Sequence, residues 1–86
     1  MKSLRVEYVR AVNDFKDEPK ALLKLAVERP SLAIDTLDAL NEIIEEAHLL
    51  VGELEDVGGR GAALRSMELE QTIASASSSM YKIVTN

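Results

Sequence analysis

Residues 54–64 read LEDVGGRGAAL, and three of the four glycines in the chain fall here, at Gly58, Gly59 and Gly61. Such a stretch is either a loop that cradles a phosphate or a bend between two helices. A phosphate loop follows a strand and carries a lysine followed by a hydroxyl residue. Neither occurs around Arg60. The apolar pattern instead stops at Val57 and restarts at Ala62, with helical spacing on both sides. Gly58 or Gly59 can take the left-handed conformation that closes a helix end. Arg60 would then sit beside the negative terminus of an acidic helix. The stretch predicts a hairpin bend, and with it an all-α fold.

Upstream of the bend, residues 31–57 carry Leu37, Leu40, Ile44, Ala47, Val51 and Leu54 at alternating steps of three and four, a run of a and d positions. Ile43, Leu50 and Val57 widen that stripe on one flank. About 27 residues at 1.5 Å each predict a rod of ~40 Å. Downstream, residues 61–84 place Leu69, Ile73, Ala76, Met80 and Ile83 on one face of a return helix. Its middle, ASASSS from Ala74 to Ser79, has no local helix-forming advantage. Small side chains there allow close approach of another helix, or else form a shallow groove lined with hydroxyls.

The first third holds two shorter helices. Residues 3–16 present Leu4, Tyr8, Ala11, Val12 and Phe15 on one face. The patch KDEPK interrupts them. Pro19 suits the first turn of a helix over 19–29, with Asp17 or Glu18 as cap. This helix carries Leu22, Leu23, Leu25, Ala26 and Val27. Pro30 ends it, and Ser31 is placed to cap the long helix.

Composition bounds the function. A chain of 86 residues is one helical domain, 1–86. A monomer of this size buries only about 60% of its unfolded surface. It has no cysteine, so no disulfide or thiolate–metal site can reinforce it, and a homo-oligomer is expected. Leu49, Met67 and Tyr81 fall off the intramolecular stripes and are the residues expected at a subunit contact. No apolar run approaches membrane-spanning length and no signal peptide pattern is present, so a cytoplasmic location and no membrane partner are expected. The net charge of −5 and the scarcity of aromatic rings argue against a DNA duplex or a single strand as partner.

Charge is segregated. Residues 1–29 hold seven Lys or Arg against five acids, whereas residues 30–59 hold eight acids and no base. Electrostatic docking of the first segment on the long helix is one expectation, and ordinary solvated helix faces the other. Catalytic chemistry is thin. Glu45-x-x-His48, with Glu42 one turn earlier, is the helix-borne half of a carboxylate di-metal site. A dimer would have to supply the second copy, so the metal site is a remote alternative. One histidine and no cysteine assemble no nucleophile with its base and orienter. The chain reads as a binding protein without a cofactor, not an enzyme.

Three short motifs sharpen this reading. LNEI stands at Leu40–Ile43. RSMELEQT provides Arg65, Leu69 and Thr72. SMYKIV ends in Lys82, Ile83 and Val84. Over roughly residues 37–84 the chain resembles the helical-hairpin domain of viral cyclic-oligonucleotide sponges of the anti-CBASS type. Those small phage proteins trap immune signalling nucleotides without cleaving them. The resemblance implies sequestration without turnover, in the host-cell cytoplasm. Arg65, Thr72 and Lys82 would hold phosphates through charge-assisted hydrogen bonds. Tyr8 and Lys24 or Lys20 of a neighbouring subunit would add a ring and charge. The rival keeps the fold and changes the partner. The acids from Asp35 to Asp56 would imitate a nucleic-acid backbone and block a host defence protein, as an anti-CRISPR-like or antitoxin-like inhibitor does.

Overall fold

The structure is a computed structural model that describes residues 6–85, with side chains at Arg10 and from Val12 onward. Four α-helices follow in order: α1 (Val6–Lys16), α2 (Glu18–Glu28), α3 (Ala33–Val57) and α4 (Gly59–Thr85), with a single 3-10 turn, Pro30–Leu32, before α3. Among the described residues there is no strand, and only Asp17, Arg29 and Gly58 lie outside helices. The expected start of the first helix at residue 3 lies outside the described residues. No described helix is long and apolar enough to cross a membrane.

The glycine stretch is a bend, and a tighter one than its composition suggests. Gly58 alone separates α3 from α4. Its N–H donates to the Leu54 carbonyl at 3.0 Å. Its φ of 73° and ψ of 176° lie in a region open essentially only to glycine, not in the left-handed helical region expected of a cap. Gly59 also has a positive φ, 91°. Arg60 and Gly61, expected in the bend or at its edge, belong to the first turn of α4.

Proline sets the other breaks. Pro19 lacks an N–H and its ring would clash with the carbonyl four residues back in a continuous helix, so α1 and α2 part at Asp17. Asp17 occupies the N-cap position, without a side-chain capping bond. Arg29, before Pro30, is extended with φ −131° and ψ 82°, as a residue preceding proline must be. Ser31 does not cap the long helix. It lies inside the 3-10 turn, Leu32 takes the N-cap position, and no side chain makes the capping bond. A proline opening a tight turn has moved the helix start two residues on.

The broken first helix lies in the groove of the α3–α4 hairpin. Over the turn end, Val12 of α1 joins Ala47, Leu54, Ala62 and Leu69 in the core, with Phe15 packed against them. Over the open end, Ala26 of α2 shares a depression with Pro30, Ala33 and Ile83. The stripe that enters the groove is Val12, Phe15, Pro19, Leu22 and Ala26, at steps of three and four across the break. Leu25 and Val27 of α2 are exposed.

The seam between the long helices differs from the expected stripes by one position at several points. On α3 the buried line is Thr36, Leu40, Ile43, Ala47 and Leu54, and on α4 it is Ala62, Leu69, Thr72, Ala76 and Ser79. Leu37, Ile44, Val51, Ile73 and Met80 are only half-buried. Hydroxyl groups can take core positions here because the main chain satisfies them. Thr36 donates to the Leu32 carbonyl at 2.7 Å, Thr72 to that of Glu68 at 3.1 Å, and Ser79 to that of Pro19 at 3.2 Å. The last bond joins α4 to α2.

Candidate functional site

Among the described residues one concavity lies between α1, α2 and α4. It is a cleft of about 360 Å³ lined by Val12, Asn13, Lys16, Lys20, Glu68, Gln71, Thr72 and Ser75. The break at Asp17 positions it. Lys16 closes α1 and Lys20 belongs to the first turns of α2, so both ammonium groups border one opening. Val12 and Thr72 are buried and form its floor. Asn13, Gln71 and Ser75 supply two amides and a hydroxyl. Glu68 brings a carboxylate, held at 2.8 Å by the Arg65 guanidinium one turn earlier on α4.

The lining has groups that can hold an anion. Two ammonium groups with neutral amide and hydroxyl donors suit an oxyanion, because hydrogen bonds between ionised partners are about twice as strong as neutral ones. Among the described residues no three His, Asp or Glu side chains converge as metal ligands. Glu42, Glu45 and His48 are exposed on α3, and Glu45 instead accepts a bond from the Asn41 amide at 3.3 Å.

No family model matches the sequence, and neither a curated protein nor a solved structure matches it. The residues themselves therefore carry the functional reading.

The structure spreads the expected ligand-binding residues rather than gathering them. Thr72 sits in the cleft floor, with its hydroxyl proton given to the main chain. Arg65 is half-buried and paired with Glu68. Lys82 is exposed near the open end, beside Leu23, Val27 and Thr85. Seventeen residues of helix put Arg65 and Lys82 about 25 Å apart, too far for one small ligand within one copy. Lys24 is exposed on α2, one turn beyond Lys20. The Tyr8 side chain lies outside the described residues. Lys20 is the one residue named with them that shares the cleft with Thr72. Lys16, Asn13 and Gln71 escaped sequence reasoning as site residues, whereas Ser75 belongs to the serine run for which a hydroxyl-lined groove was one of two expectations. The signal was the four-residue spacing of Lys16 and Lys20 across Pro19, legible only if the two helices run on in nearly one line.

Of the two expectations for the segregated charge, docking and solvated faces, the described residues show no ion pair between the basic first segment and the acidic helix, Arg65–Glu68 being the sole ion pair among them. Once the apolar stripe of α1 and α2 enters the groove, Lys16 and Lys20 fall toward α4. Glu18 falls toward α3, where it shares a crevice with Glu42 and Glu46.

Proposed function

We propose that the protein is a non-enzymatic binding protein that sequesters a phosphate-bearing ligand in the cleft between α1, α2 and α4. The paired lysines opposite the amide and hydroxyl row of α4 carry this reading. The hairpin motifs add the ligand class, a cyclic oligonucleotide of immune signalling, and the setting, a phage protein acting against host defence. Lys16 and Lys20 hold the phosphates, while Asn13, Gln71 and Ser75 hydrogen-bond to phosphate, sugar or base edge. Native mass spectrometry of the purified protein, alone and with cyclic di- and trinucleotides, should give a bound mass. Losing one charge-assisted bond in Lys20→Ala should weaken binding about ten- to a hundred-fold. Absence of any bound nucleotide at tens of micromolar would end the nucleotide reading.

A second reading rests on α3. All eight of its acids are exposed, and among the described residues none is ion-paired. A rod of exposed carboxylates imitates a nucleic-acid backbone and suits the basic groove of a host defence protein. Under this reading Glu45→Lys with Glu53→Lys abolishes inhibition. Under the first it leaves nucleotide affinity nearly unchanged, since these side chains are not among those lining the cleft.

A further inference from the structure

Each long helix has one flank turned toward α1 and α2 and one turned away. On α3 the covered flank is Thr36, Ile43 and Leu50. This side meets Phe15 and Leu22 around a crevice that Ile43 also lines. On α4 it is Arg65, Thr72 and Ser79, the side that forms the cleft and bonds Pro19. One residue on is a turn of about 100° around a helix. The opposite flank is therefore Leu37, Ile44 and Val51 on α3, with Ser66, Ile73 and Met80 on α4. These six are all half-buried, with Val51 and Ile73 packed against the core from that side, and helix geometry places them away from α1 and α2. The uncovered flank is thus more apolar than the covered one.

We infer that a second copy of this chain covers that flank, the two hairpins closing back to back into a four-helix bundle. Three features favour a second copy. The half-buried residues repeat every seven positions on both helices, as those of the covered flank do, a spacing that lets further helices pack at about 20° along the whole length. Two helices about 8–10 Å apart and ~40 Å long present roughly 800 Å², about what one partner contributes to a standard interface. Charge also permits closure. Of the eight acids on α3 only Glu55 lies on the helix sector around Leu37, Ile44 and Val51, so two negatively charged copies meet without opposing their acidic faces. Leu49, Met67 and Tyr81, the residues expected at a subunit contact, lie on other faces and are 70%, 56% and 71% exposed; Leu49 stands among Glu45, Glu46 and Glu53.

Sedimentation equilibrium at 5–100 µM, to order of magnitude a range suited to a micromolar dimer, tests this. The wild type should show twice the 9.4 kDa chain mass. Ile44→Glu with Met80→Glu should be monomeric at every concentration while keeping its helical circular dichroism. Leu49→Glu should remain dimeric. If the double variant unfolds, thiol labelling decides instead. The thiol introduced by Val51→Cys should react at least ten-fold more slowly at high than at low protein concentration, and that introduced by Leu49→Cys at the same rate in both. A monomeric wild type, a folded double variant that stays dimeric, or a Val51→Cys thiol labelled at a rate independent of concentration overturns the assignment.

Discussion

Individual residues of this chain are constrained where the backbone is, and the glycines show it. Gly58 and Gly59 have open space where a Cβ would stand, but both have positive φ. The constraint is conformational, and a β-branched side chain tolerates such a φ poorly. Gly58→Val should cost on the order of 1–3 kcal/mol, the range for a residue held in a sparsely populated region, and Gly59→Val should behave similarly. Thermal melts in which neither variant moves would dismiss both as special turn residues. Gly52 is the opposite case. It lies inside α3 without a positive φ and with free space around it. Gly52→Ala should stabilise by ~0.8–1 kcal/mol, which raises the melting temperature of a domain this size by about 4–8 °C. Arg60→Ala should change little. The side chain is exposed and sits between the negative end of α3 and the positive end of α4, so two terms of ~0.3–1 kcal/mol oppose one another.

Among the helices, what was legible in the sequence was their existence and approximate span. Their rotation about their own axes was less so. The reason is visible in α4. Ile73 and Met80 are more apolar than Thr72 and Ser79, so a stripe chosen by hydrophobicity turns the helix toward them. The fold buries Thr72 and Ser79 because their hydroxyls find carbonyl acceptors, one within the helix and one on Pro19. A sequence does not display such an acceptor when it lies 60 residues away in the chain. The same limit hid the cleft, because Lys16 and Lys20 border one opening only once α1 and α2 are seen to share a groove. Ser79→Ala should therefore destabilise by about 0.5–1.5 kcal/mol, the net worth of one hydrogen bond. A surface serine such as Ser78 should tolerate alanine within about 0.5 kcal/mol. Equal urea midpoints for the two variants would mean that the bond linking α4 to α2 contributes nothing.

For the molecule as a whole, the distribution of charge decides what can bind and where. The eight exposed acids of α3 repel an anionic ligand there, whereas Lys16 and Lys20 attract one where they border the cleft. Glu68 lines that cleft too and would oppose the ligand. The Arg65 guanidinium, 2.8 Å from its carboxylate, offsets this charge. Arg65 can thus support binding without touching the ligand, by keeping Glu68 neutralised and turned along α4. The two roles make different predictions. If Arg65 acts through Glu68, Arg65→Ala should weaken binding about ten-fold, as losing a charged contact does, and Arg65→Ala with Glu68→Gln should restore it. If Arg65 grips a phosphate directly, the double variant stays as weak as the single one. Calorimetry with a cyclic dinucleotide, and circular dichroism to verify the fold, separates the two. Restoration in the double variant would also explain why a helix facing an anion keeps a carboxylate at the opening: with Arg65 beside it, Glu68 is a hydrogen-bond acceptor for a base amine or sugar hydroxyl rather than a free negative charge.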